Sequence, residues 1–383
     1  MQRRQLKWGQ EVVSCKLKTD VFVIGGGPAG LAAAIAARQR GMTVTVADGA
    51  EPPIDKACGE GLMPETLETL AELGVEILPD AGYRFRGIRF LHNDAQVAAD
   101  LPQGRGLGIR RTILHQWLIA RAEECGARLL WQTPISGITR EGVQLPHEFV
   151  SSRWIVGADG SGSRVRRWSG LDSAKRQRQR YATRRHYAVR PWAEHVEFYW
   201  GCGAQAYVTP IGREEVCVVV MAEAPETADF DLFSQRFPRL AAHLENAQLA
   251  GRERGAVTLM HSLRAVHSGN VALVGDASGG VDAITGEGLR LAFRQAMVLA
   301  EAMEQGNLHG YARVHRKLAR KPMLMGDLML MLGRNDRLAG RVIGMFARRP
   351  QLFSRFMEVH TGEPALGDWL SVGARFGWRF LTT

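Results

Sequence analysis

Long apolar runs are missing from this 383-residue chain, and so is a cysteine framework. No stretch approaches the roughly 18 apolar residues that a membrane-spanning helix requires. The most apolar neighbourhood, Met323 to Leu332, is interrupted by Gly326 and Asp327. The five cysteines, Cys15, Cys58, Cys125, Cys202 and Cys217, are odd in number, widely spaced and form no C-x-x-C pair. That argues against a disulfide scaffold or a zinc site and predicts no metal and a reducing, cytoplasmic setting. Met1 to Asp20 holds no continuous apolar segment and does not read as a secretory signal. Zinc-finger, RNA-recognition and basic-zipper patterns are absent, so nucleic acid is not the expected partner despite a formal charge of +10.

What is present is ordinary globular material, 45% apolar and 23% charged, long enough for two connected domains. The positive charge is concentrated: Arg164 to Arg190 holds ten Lys and Arg against the single acid Asp172. Such a run is expected either as a solvated loop and polar strand face or as an attractor for an anionic molecule.

The β-branched run Asp20 to Ile24 stops at three glycines, an Ala-rich helical stretch follows over Pro28 to Arg40, and Thr43 to Val46 is again β-branched. Strand, glycine turn, helix and strand make the opening unit of a doubly wound fold. Further strands are expected at Arg86–Leu91 and Val97–Leu101, a helix over Arg110–Cys125, and a strand at Trp154–Val156. From Tyr181 to Met221 short alternating pieces predict one antiparallel sheet, with Phe230–Leu249 as a helix after it. Val271–Val274 and Leu289–Met303 then return to strand and helix, so the chain leaves the first domain and re-enters it.

Gly25-Gly26-Gly27-Pro28-Ala29-Gly30 satisfies G-x-G-x-x-G between that strand and helix. Gly25 suits the tight turn, Gly27 the approach of a pyrophosphate, and Gly30 close helix–strand packing. Asp48, 23 residues after Gly25, stands where a carboxylate accepts ribose hydroxyls. This much indicates NAD or FAD.

Later motifs decide by resemblance. Gly157-Ala158-Asp159-Gly160 with Ser163-Arg164-Val165-Arg166 resembles the G-A-D-G-x-x-S-x-V-R stretch of FAD-dependent aromatic hydroxylases, the para-hydroxybenzoate hydroxylase-like superfamily. Val274-Gly275-Asp276-Ala277 is similar to its Gly-Asp motif, whose Asp binds the flavin ribitol, and Arg111-Thr112-Ile113-Leu114 to its R-x-x-L. Asp55-Lys56-Ala57-Cys58-Gly59-Glu60-Gly61 and Asp282 to Gly288 resemble the branch that includes geranylgeranyl reductases, in which the K-x-C-G loop lies near the isoalloxazine ring. Gly286 and Gly288 then free backbone to approach a flat ring, and the next helix points its N-terminus at it. Tyr207-Val208-Thr209-Pro210 matches only in part the Tyr-x-Trp-x-Phe-Pro strand of those reductases, lacking the Trp. The W-x-W-x-I-P motif of flavin halogenases is absent.

The resemblance implies an α/β fold: a Rossmann-type FAD-binding domain (GR2-like) with an inserted antiparallel substrate domain and a helical C-terminal tail. The FAD domain is expected over residues 18–80, 105–170 and 255–320, the substrate domain over 81–104 and 171–254, and the tail over 321–383. Cys58, Glu60, Tyr207 and Glu287 are the candidate catalytic residues, and His186, Tyr187, Phe198 and Trp200 candidate pocket linings. The expected activity is monooxygenation of an apolar aromatic, polyketide or lipid-like substrate by FAD, O₂ and transient NAD(P)H, which the basic Arg164 to Arg190 stretch, Arg184 and Arg185 included, would attract. The runner-up is reduction of isoprenoid carbon–carbon double bonds. The Met-rich tail is expected as core cover, with a lid or a peripheral membrane contact as the sharper alternatives.

Overall fold

Val21, Phe22, Val23 and Ile24 follow one another without a polar residue, and a strand buried on both faces is what such a run makes. The computed structural model describes residues 18–201 and 203–361, apart from the side chains of 174–177, 231 and 234. In chain order, the first half builds β1 (Lys18–Ile24), α1 (Pro28–Arg38), β2 (Val44–Ala47), α2 (Pro64–Glu72), β3 (Gly87–His92) and β4 (Ala95–Asp100). There follow α3 (Arg111–Glu124), β5 (Arg128–Leu130), β6 (Phe149–Gly157), β7 (Ala174–Ala188), β8 (His195–Gly201), β9 (Ala204–Gly212) and β10 (Glu215–Ala222). The last part contributes β11 (Arg254–Leu263), β12 (Val271–Leu273), α4 (Gly288–Glu304), α5 (Leu308–Arg334), α6 (Asp336–Arg348) and α7 (Pro350–Thr361).

The first sheet has a parallel core, β12-β6-β1-β2-β5, with short antiparallel strands at Gly137–Ile138, Gly142–Gln144 and His267–Ser268, and α1, α3 and α4 cover one of its faces. The second runs β11-β7-β10-β9-β8-β3-β4 and is antiparallel except where β8 meets β3. That parallel pair departs from the sequence expectation because the β3–β4 hairpin comes from a distant part of the chain and joins the edge independently. Gly279–Gly280 pairs with β11, so the turn after β12 is hydrogen-bonded into the second sheet. Arg86–Leu91 and Val97–Leu101 were expected as strands and form β3 and β4, joined through Asn93 in the left-handed region (φ 49°).

Phe230–Leu249 does not form one helix. Helical pieces at Phe233–Arg236 and Pro238–Leu244 are followed by a strand, Gln248–Leu249. Pro238 lacks an N–H and disfavours helical geometry at Phe237, which sits at φ −129°, ψ 62°. Beyond it, α5 continues through Pro322, and α6 and α7 lay Val342, Ile343, Phe346, Phe353 and Met357 against Phe90 and Phe198 in one apolar core. The tail is core cover over its described part. Residues 362–383, Cys15 and Cys202 lie outside the described residues. None of the described helices is long and apolar enough to cross a membrane.

His315 on α5 is buried and hydrogen-bonded to Ser278 (2.8 Å), whose hydroxyl also reaches the carbonyl of Gly275 (2.8 Å). Burial lowers its pKa from 6.5 to about 4. The unfolded chain therefore takes up this proton first, so stability is full above about pH 6.5 and falls as pH drops toward 4. The loss from this residue is about 3 kcal/mol. His315→Gln should flatten the fall in unfolding free energy between those pH values; an unchanged slope would refute the assignment.

Candidate functional site

Four parallel strands end level: Ile24 pairs with Gly157 and with Ala47, and Gly157 with Leu273. Their turns converge as a result. Gly25 leaves β1 at φ 112°, and a Cβ on it would strike the carbonyl of Ala158 after β6, so conformation and neighbour both demand glycine. Ala29 packs against Gly275, bringing in the turn after β12. Asp48 accepts the N–H groups of Gly26 (2.7 Å) and Ala50 (2.8 Å), which holds its carboxylate beside the glycine turn. Beneath the turn, buried His115 accepts from Ile54 N–H at Nδ1 (3.2 Å) and contacts the Gly26 carbonyl through Nε2 (2.7 Å). Those bonds require the neutral tautomer with its proton on Nε2, and burial lowers the pKa in the same sense.

The residues present fit FAD. Helix α1 begins at Pro28 without a side-chain cap, and the space beside Gly27 is open. Free N–H groups and the positive end of the dipole suit a pyrophosphate. A second uncapped helix end, α4, starts at Gly288 beside Gly286, again with open space at both glycines. Arg111 Nε is buried with no hydrogen-bond partner among the described residues, an unfilled demand for an acceptor. Asp276 reaches solvent although protein crowds it, as at the floor of a cleft. That crowding raises its carboxyl pKa, while Arg111, His261 and Lys56 act in the opposite direction. Asp159 works locally: its carboxylate accepts the N–H groups of Arg164 (2.7 Å) and Val165 (3.2 Å) and so caps the next short helix, leaving the Arg164 side chain exposed.

The 55–62 loop lies across the second sheet. Gly59 rests flat on Tyr207, where any Cβ would hit the ring, and Cys217 Sγ donates to the carbonyl of Cys58 (3.6 Å). Glu60 adopts φ 59° and turns its carboxylate inward, where it is 1% exposed. One oxygen accepts from Arg111 N–H and from Arg184, each at 3.0 Å; the other meets His186 Nε2 at 2.6 Å. Arg184 also grips Asp55 through two bonds, 2.9 and 3.1 Å. Burial works against the Asp55 charge, but Arg184 and Arg254 hold its pKa below the usual carboxylate value. Burial pushes the Cys217 thiol and the Tyr207 hydroxyl well up, so both stay protonated at neutral pH. Glu60, His186 and Cys217 offer donor atoms within 4.8 Å of one another, but the direct Glu60–His186 bond makes this a hydrogen-bond node.

A second node fixes the 282–288 turn. Buried Asp282 binds Arg180 (3.0 Å), Arg180 binds Gln205 (2.6 Å), and Gln205 donates to the Met329 carbonyl on α5 (3.3 Å). Strand alternation explains both nodes: Arg180, Arg184 and His186 on β7, Gln205, Tyr207 and Thr209 on β9, and Cys217 on β10 share one face.

Cys58, Glu60 and Tyr207 thus meet at one place, whereas Glu287 is engaged by Arg290 (2.9 Å) in the first turn of α4. Phe198 stacks on Tyr207 at 5.6 Å and Trp200 packs on Phe90 at 5.5 Å, but Tyr187 belongs to the core on the opposite face. Arg184 and Arg185 do not stand free for an anionic reductant: the former is buried on Asp55 and Glu60, the latter paired with Glu253 (2.6 Å). His115, the pairing of Asp282 with Arg180 and the closeness of Cys217 to Cys58 escaped the sequence reading. Only the position of His115 four residues after Arg111, on the same helix side, offered a local signal. Arg111→Ala should raise the FAD dissociation constant roughly tenfold to hundredfold, read by flavin fluorescence quenching. Unchanged affinity would show that its unpartnered nitrogen does not face the cofactor.

A family model described as FAD binding domain matches residues 18–313. Among curated proteins, a menaquinone reductase of Mycolicibacterium smegmatis is 27% identical, covering 92% of this chain and 94% of the relative. A digeranylgeranylglycerophospholipid reductase of Methanopyrus kandleri is 29% identical over 72% of this chain and 78% of its own. Solved structures share the fold: a geranylgeranyl bacteriochlorophyll reductase-like protein of Thermoplasma acidophilum has a TM-score of 0.74 at 19% identity, covering 96% of this chain and 98% of that one. A flavin-dependent brominase variant has 0.76 at 17% identity, covering 94% and 99%. With the cleft geometry and a family match over most of its length, the chain belongs to the FAD binding domain family and is an FAD-dependent oxidoreductase.

Proposed function

We propose that the protein reduces carbon–carbon double bonds in the isoprenoid chain of a lipid-like molecule. The observation that carries this is the half-buried Cys58 thiol, beside the Gly59 that rests on Tyr207 and backed by the Glu60–His186–Arg184 node. FAD held at the Gly25–Gly30 turn and Arg111, and reduced by a donor such as NAD(P)H, would provide the hydride for one alkene carbon. The other carbon needs a proton, and this chain must provide it.

We assign the proton to the half-buried Cys58 thiol of the 55–62 loop. Glu60, His186 and Cys217 behind it are buried, at 3%, 1% and 0% exposure. The N–H of Glu60 donates to Cys58 Sγ (3.4 Å), a bond that strengthens when the sulfur becomes anionic after giving up its proton. Curated relatives named as reductases, one by a polyprenyl phospholipid, support this reading over the monooxygenation expected from sequence. The more distant brominase likeness speaks only to the fold.

Anaerobic incubation of the reduced protein with a geranylgeranylated phospholipid should give product heavier by two hydrogens per reduced bond. Oxygenated product formed only in air would overturn the proposal in favour of a monooxygenase. Cys58→Ala should lower turnover about 10²- to 10⁴-fold while the flavin spectrum and FAD affinity persist. Full activity in that variant would exclude Cys58 as the proton donor.

A further inference from the structure

The outer face of α5 carries a pattern that neither the fold nor the flavin site uses. Its inner face is engaged: Met325 and Met329 are buried in the core that holds Tyr207 and Ile284, and Gly326 lies against Asp282. On the outer face Arg313, Lys317 and Arg320 are exposed, and Leu324 and Met331 follow, 54% and 50% exposed. Their spacings of three, four and seven put all five on one stripe of the helix. Asp327, the acid within this segment, binds Arg178 at 3.0 Å. The whole of Leu308–Thr361 has eleven Lys and Arg against three acids, so +8 of the chain's formal +10 resides there.

Cations alone would suit any polyanion. Two large apolar side chains exposed in line with them do not suit nucleic acid, which rewards the charges and leaves Leu324 and Met331 in water. An anionic bilayer rewards both, taking lysine and arginine over the lipid phosphates and leucine and methionine into the acyl boundary. We propose that α5 docks on an anionic membrane surface through this stripe. The docking stands on charge and exposure alone. Its use to the enzyme rests on the lipid-substrate reading: the site-facing side of α5 would then lie about 10 Å from the bilayer, one helix diameter.

The full-length protein, with FAD, is sedimented with vesicles of phosphatidylcholine alone and with vesicles that also contain phosphatidylglycerol. Binding should require phosphatidylglycerol and be weakened by salt. Arg313→Gln with Lys317→Gln should reduce partitioning roughly tenfold or more, at about fivefold per charge. Leu324→Ser with Met331→Ser should also reduce it, with the flavin spectrum unchanged as evidence of folding. No binding to the anionic vesicles, equal binding to both kinds, or binding indifferent to the variants would overturn the proposal. So would self-association abolished by the Leu324 and Met331 changes, which would make the stripe an interface between copies. Lipid reduction in detergent without vesicle binding would refute the docking and leave the reaction standing; the converse would refute the reaction alone.

Discussion

A buried carboxylate must have both oxygens occupied, and Glu60 meets that condition with groups from two other chain segments. Arg111 N–H comes from the start of α3, Arg184 and His186 from β7, and the carboxylate itself from the 55–62 loop. Removing one partner from such a set leaves a charge stranded in low dielectric, which typically costs about 3–5 kcal/mol. The node therefore dictates more than its own geometry. It holds Glu60 in the left-handed conformation and lays Gly59 on Tyr207. The Asp282–Arg180–Gln205 chain does the same for the turn before α4. Between them the two nodes align a nucleotide-binding cleft with a separate sheet.

The nucleotide-binding half was legible in the sequence because its logic is local. A β-branched run, a glycine turn and an Ala-rich helix determine one another over about twenty residues, and the later motifs recur in a fixed order. The second half depends on register, which sequence encodes weakly. The arginines of β7 read as a solvated or ligand-seeking run, since alternation alone does not reveal that Arg180 and Arg184 face inward onto acids. The sequence separation of 159 between Cys58 and Cys217 conceals a contact that strand pairing creates. Tyr187, adjacent to His186, was grouped with it as a pocket lining although the period of two sends it to the other face. Pro238 was a local signal that should have divided the expected helix after the sheet.

Flavin motifs are shared between oxygenases and reductases, so they could not choose between these chemistries. What differs is the group a substrate meets beyond the flavin. Under the reduction proposed above, that group is the Cys58 thiol, held in a loop that the buried Glu60–His186–Arg184 node fixes. Helix α5 ties this chemistry to the surface, since one side packs against the turn that precedes α4 and the other presents cations and exposed apolar side chains.

The dependence of the site on its buried node is tested most directly by a double-mutant cycle on Glu60→Gln and Arg184→Met, read as unfolding free energy of the FAD-loaded protein. A coupling energy of about 2 kcal/mol or more is predicted, with the double variant far less damaged than the sum of the single ones. Additive effects, within about 0.5 kcal/mol, would mean that the two residues do not act as one unit and that the loop is held by other contacts.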